Sequence, residues 1–90
     1  METMIALSWR RAVKDTLDTG TKRRTWISTD GRFRLEEHHH LHGQTLYLPF
    51  VRDYVFSAGE AGVRAYWNNL GSARSRAIAE QRLLTHAEDF

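Results

Sequence analysis

The chain contains no cysteine, a single proline and no long apolar run. Without cysteine neither a disulfide framework nor a thiolate metal site can form, which fits a reducing compartment. No stretch approaches the roughly 18 apolar residues needed to cross a bilayer. The segment from Met1 to Trp9 runs directly into Arg10, Arg11 and Lys14, so it lacks the apolar centre of a secretory signal. A soluble, cytoplasmic protein is expected, without a membrane partner. No glycine-rich phosphate loop or nucleophile motif is present, and the carboxylates show no spacing that demands a catalytic pair. The expectation is therefore a protein that is not an enzyme and carries no cofactor.

What is present is a small globular composition. Ninety residues are 41% hydrophobic and 27% charged, with three Trp, four Phe and three Tyr. Such a length makes one domain, residues 1–90, that buries only roughly 60–65% of its unfolded surface. The aromatic residues supply much of the core volume. A formal charge of +2 and a pI near 9.4 are mildly basic, and the placement of charge matters more than its sum.

The clearest local signal is Lys22 to Glu37, which reads as an antiparallel hairpin around Asp30-Gly31. A two-residue turn there sets Thr29 against Arg32, Ser28 against Phe33, Ile27 against Arg34 and Trp26 against Leu35. Trp26, Phe33 and Leu35 then share one face, while Ile27, Arg32 and Arg34 share the other. Upstream, Ile5, Trp9, Ala12, Val13, Thr16 and Leu17 recur at helical spacing, with Thr3 as cap and Gly20 as stop. Arg11–Asp15 and Lys14–Asp18 are the i,i+4 pairs of that helix. Downstream, Thr45 to Val51 alternates as a third strand, and Pro49 marks an edge or an end.

Residues 52–71 support two readings. Ser57-Ala58-Gly59-Glu60 has the form of a capping box before Val63, Tyr66, Trp67 and Leu70 at helical spacing. Gly59 and Gly62 oppose a helix, and Asn68-Asn69 makes a turn after a strand over Val63 to Trp67, the reading preferred here. A final helix opens at Ser72, with Ala73, Ala77, Ile78, Leu83, Leu84 and Ala87 apolar and Arg76–Glu80 paired. The expected fold is α+β: an N-terminal helix, an antiparallel sheet of three to four strands, and a C-terminal helix packed on one sheet face.

Three candidate sites follow. His38, His40 and His42 project to one side of an extended strand, with Glu36 beside them. That is zinc-ligand spacing, set against a solvated strand end that binds no metal. A basic set, Arg23, Arg24, Arg32, Arg34, Arg74 and Arg76, offers contacts to nucleic acid or an acidic partner. Arg74 and Arg76 fall in the opening turn of the last helix, where a phosphate would relieve their mismatch with the dipole. Tyr47, Tyr54, Phe56, Tyr66 and Trp67 exceed what one small core needs; tyrosine, tryptophan and arginine are the residues enriched in binding hot spots.

The stretch Gly71-Ser72-Ala73-Arg74-Ser75-Arg76-Ala77-Ile78-Ala79-Glu80-Gln81 loosely resembles the last-helix opening of double-stranded-RNA-binding domains. That likeness implies phosphate contacts by Arg74 and Arg76. Residues 22–88 resemble, equally loosely, the sheet-plus-helix DNA readers of the AP2 and integrase-arm type. They also resemble small bacteriophage accessory and anti-defence (anti-CRISPR-like) proteins, in which a β-meander ends in Leu-Gly and an alanine-rich helix. The last resemblance implies an inhibitor that occupies a surface of a larger host protein or nucleoprotein complex. The competing expectation is a duplex nucleic-acid-binding module, and self-association as a homodimer is a further use of the aromatic surface.

Overall fold

The computed structural model describes residues 7–56 and 62–88. Five strands, β1 (Val13–Thr16), β2 (Lys22–Ile27), β3 (Phe33–His39), β4 (Thr45–Phe56) and β5 (Val63–Asn69), precede one helix, α1 (Arg76–Glu88). Every strand pairs antiparallel with its neighbour in sequence, giving a meander in the order β1-β2-β3-β4-β5. Among the described residues no helix is long and apolar enough to cross a membrane.

This corrects the expected N-terminal helix and the count of three to four strands. Thr3 and Ile5, its proposed first residues, lie outside the described residues. The rest of the segment is extended along β2: Trp9 bridges Ser28, Arg10 N donates to Ile27 O (2.8 Å), and Val13–Thr16 pairs with Thr25–Lys22. Residues 10–12 oppose only Trp26 and Ile27, so one extra residue bulges between the two stretches. Gly20 stops no helix. Its φ of +84° closes a tight hairpin, with Gly20 N donating to Leu17 O and Leu17 N to Thr21 O. The expected Arg11–Asp15 pair is replaced across the strands by Arg23, whose Nε donates to Asp15 Oδ1 at 3.0 Å. Tertiary pairing overrides the helical periodicity and its i,i+4 charge pairs.

The second hairpin keeps the expected register, Trp26 opposite Leu35 and Ile27 opposite Arg34, through a different turn. Asp30 does not take positive φ. Gly31 does (+76°), and its N–H donates to Ser28 O at 2.9 Å. The Asp30 carboxylate accepts from Ser28 Oγ (2.6 Å) and Arg32 N (3.0 Å), which holds its pKa below the ordinary carboxylate value, the Ser28 hydroxyl contributing most. Asp15 is lowered likewise, chiefly by its bond from Arg23. A carboxylate depressed in the folded state binds fewer protons there than when unfolded, so its stabilisation is present above the unfolded pKa and lost as pH falls. The melting temperature should therefore drop as pH is lowered through about 4, and Asp30→Asn should flatten that slope in a thermal-melt series.

Pro49 lies neither at an edge nor at an end: it is fully buried within the interior strand β4, opposite Leu35. Its carbonyl accepts from Leu70 N (2.9 Å), so its missing N–H points to the same side, beyond the last β5 pair at Asn69. The chain leaves the ladder there and returns at Ala73, which exchanges two hydrogen bonds with Tyr47 (2.7 and 2.8 Å). The absent donor thus falls just past the last ladder pair, where Leu70 donates to Pro49 and the strand pairing ends.

Helix α1 begins later than expected, capped by Ser75, whose Oγ accepts from Ile78 N (3.2 Å), not by Ser72. Ala79 and Leu83, one turn apart, press on β3 and β4 and are fully buried, while Ile78 and Ala77 face outward. Leu83 packs with Phe33 and Val51; Ala79 packs with Leu35 and Ala73. The alanines let the helix approach the sheet closely. Trp9 joins both clusters, and its Nε1 donates to Glu80 Oε1 (3.1 Å). The expected Arg76–Glu80 pair forms at 3.3 Å.

Candidate functional site: the open sheet face and the β4–β5 arm

Only one side of the sheet carries the helix. Pleat alternation sends Arg23, Thr25 and Ile27 of β2, Arg34, Glu36 and His38 of β3, and Leu46, Leu48 and Phe50 of β4 to the other side. On that open face Glu36 is the hub. Its carboxylate accepts from Arg34 Nε (2.7 Å), lies 2.8 Å from His38 Nε2 and 4.0 Å from Arg23 Nη1, and is almost wholly buried. Arg34 in turn stacks over Phe50 and Trp67, its guanidinium carbon 5.8 and 5.9 Å from their ring centres. Asp15 and Glu36 thus neutralise Arg23 and Arg34 on this face, while Arg10 and Arg11 border the same surface depression as those two arginines and Arg52 shares the face opposite Trp67.

The six expected basic residues do not form one surface. Arg23 and Arg34 lie on the open face, committed to Asp15 and Glu36. Arg24 and Arg76 lie on the helix side, over the Trp26 ring at 5.7 and 4.3 Å. Arg32 sits at the β2–β3 turn over Phe33 (5.3 Å), and Arg74 is exposed in the bend before α1 rather than in its first turn. Lys14, Lys22 and Arg24 border a surface depression at the β1–β2 end, but Asp15 and Glu37 line it too.

Of the expected histidine row only His38 and His40 stay together, their ring centres 6.4 Å apart. His38 faces Glu36, His39 Nδ1 meets Thr45 Oγ1 (2.7 Å), and His40 Nδ1 meets Thr21 Oγ1 (3.3 Å). β3 ends at His39, and the chain turns between His40 and Gly43, so His42 leaves the row that strict alternation would have made. Among the described residues no group of three or more His, Cys, Asp or Glu is placed to hold a metal ion.

The expected interaction aromatics separate by burial. Tyr47 packs against the Leu35–Ala79 cluster, its phenol pKa raised by burial and by hydrogen bonding with Glu37. Trp67 is half-buried on the open face. Tyr54 and Tyr66 belong to the outer part of the β4–β5 hairpin. There the fold has an unusual feature. β3 pairs with β4 only as far as Val51, yet β4 continues to Phe56 against β5 alone. From Asp53 to Phe56 the sheet narrows to a two-stranded arm, about 13 Å long at roughly 3.4 Å per residue. Exposed on it are Phe56 (83%), Tyr54 (59%), Val63 (52%), Val55 (46%) and Tyr66 (44%).

Tyr54, Phe56 and Val63 face the open side; Val55 and Tyr66 face the helix side beyond its cover. Sequence reasoning singled out the aromatic members and missed Val55 and Val63. The signal was available: Tyr54-Val55-Phe56 abandons the polar–apolar alternation of a half-buried strand, so an element without a covering layer is apolar on both sides. Ser57 to Glu60, the proposed capping box, lies outside the described residues. No family model matches the chain, and no curated protein or solved structure matches it either.

Proposed function

We propose that the chain is a non-enzymatic binding module that acts by docking on a larger protein, with the β4–β5 arm as its contact element. One observation carries this reading: a two-stranded projection presents five large apolar side chains on both faces, where no strand or helix among the described residues shelters them. An isolated two-stranded ribbon is marginal in water, and clustered exposed apolar groups mark interaction surfaces. Among its described residues the arm carries Arg64 and Asp53, with Arg52 at its base. Its complement is an apolar patch with an acidic rim, in which tyrosine and phenylalanine seat as anchors and arginine pairs at the margin.

Duplex nucleic acid would require free arginines to converge; Arg10, Arg11, Arg23 and Arg34 border one depression, but Arg23 and Arg34 are held by Asp15 and Glu36 and the other expected arginines lie elsewhere, which favours the protein partner. The test is capture from the natural host's lysate, with and without nuclease, by the native chain and by Phe56→Ser. The expected result is a stoichiometric protein that survives nuclease and is lost with Phe56→Ser. That variant's own stability should change by less than about 0.5 kcal/mol, since the ring is exposed. Retention that disappears with nuclease would overturn the proposal, as would a partner indifferent to Phe56.

A further inference from the structure

The two edges of the sheet are finished differently. β1 is four residues long, carries Lys14 and Asp15, and is preceded by the bulge at residues 10–12. Short length, charge and a bulge are the usual devices that keep an edge from pairing further. Of these, β5 has only a single charge. It runs seven residues in unbroken register with β4, contains no proline, and bears one charge, Arg64.

The direction of its backbone groups follows from one bond. Leu70 N donates to Pro49 O, so the N–H and C=O groups of Leu70, Asn68, Tyr66 and Arg64 point towards β4. Those of Val63, Ala65, Trp67 and Asn69 alternate away from β4, towards the edge. We propose that this edge pairs with β5 of a second copy of the chain, antiparallel about a two-fold axis at Tyr66, joining two five-stranded sheets into one.

That register follows from the groups that must be satisfied. With the axis at Tyr66, Val63 lies opposite Asn69 of the second copy and Ala65 opposite Trp67, so every outward-facing group of β5 is used. Moving the axis to Ala65 strands Asn69. The side chains also fit. The bulk of Trp67 meets the small Ala65, Arg64 meets the neutral Asn68, and the exposed Tyr66 meets its own symmetry mate. No like charges are opposed. A heterologous strand would use the same backbone groups, but only the chain's own β5 brings this self-complementary row of side chains. The pairing rests on backbone groups, and of the side chains that carry the proposed docking only Tyr66, on the axis, and Val63, at the end of the paired stretch, take part in it. It leaves Tyr54 and Phe56 on the open faces of both protomers.

Sedimentation equilibrium of the purified chain should show twice the 10.5 kDa protomer mass at concentrations on the order of 0.1 mM. The substitutions Tyr66→Lys and Tyr66→Glu each set like charges together on the axis, and each should weaken the dimer at least about tenfold. An equimolar mixture of the two should restore it as a heterodimer. Phe56→Ser should remain dimeric, which separates this inference from the docking reading. In the native chain the amides of Ala65 and Trp67 should exchange more slowly as concentration rises. A protomer-mass species throughout that range, or a dimer indifferent to charge at position 66, would overturn the pairing. Retention of only a foreign strand at this edge, with amide protection that depends on that strand alone, would also overturn it.

Discussion

Leu83→Ala should destabilise the protein by about 3 kcal/mol, within the range of 2–5 kcal/mol typical of leucine truncation in a core. Leu83 is fully buried, and it is the point at which α1 meets Phe33 and Val51. The helix has no second layer to fall back on. Its other fully buried contact is Ala79, which has little side chain to lose. The cavity left by the substitution lies between helix and sheet, where Ala87 and Leu70 only border it. A domain of this size has roughly 5–13 kcal/mol of stability in total, so a quarter or more would be lost in one change. Denaturant unfolding should show a lower midpoint with an unchanged slope. Ile78→Ala, also on α1 but 49% exposed, should cost less than about 1 kcal/mol and serves as the control. Equal losses at the two positions would mean that the helix does not sit on the sheet through Leu83.

Glu36→Ala carries the second large effect, expected at about 2–3 kcal/mol, below the 3–5 kcal/mol of a fully buried pair because Arg34 retains some contact with water. The carboxylate is the shared acceptor for Arg34 and His38 and the nearest anion to Arg23 after Asp15. Removing it leaves three side chains with basic nitrogen directed at the space it occupied. The loss is therefore mainly that of orphaned charge rather than of packing. Two companion variants separate these terms. Glu36→Gln keeps the volume and one acceptor and should lose less. Arg34→Met combined with Glu36→Leu removes cation and anion together and should recover much of the single-site loss, because well-packed apolar replacements of an ion pair are often neutral. A double variant as unstable as Glu36→Ala would show that the hub contributes through shape and not through charge.

Much of the centre of the molecule was legible in the chain itself. The β2–β3 register and the division of Trp26, Phe33 and Leu35 from Ile27 and Arg34 came from alternation around Asp30-Gly31. They survived although the turn differs, because burying three large side chains on one face penalises any one-residue slip regardless of how the loop closes. The C-terminal helix and its Arg76–Glu80 pair were likewise readable, since alanine-rich periodicity and i,i+4 charge are local properties.

What the sequence by itself determined is thus what depends on neighbours along the chain: the second hairpin, the third strand's location, the helix and the absence of thiol chemistry. Tertiary structure alone decided the rest. Trp9, Val13 and Thr16 have helical spacing and extended conformation at once, and the unpaired edge of β2 selected the latter by offering backbone partners that no helix there could outweigh. Pro49 reads as a strand breaker until the end of the β4–β5 ladder at Asn69 places its nitrogen just past the last pair. The six arginines are close in sequence in pairs, but pleating sends adjacent residues to opposite faces, so Arg23 and Arg24 part to Glu36 and Trp26 respectively. The exposure of the β4–β5 arm depends on where β3 stops, a length mismatch between strands that no single strand records in its own residues.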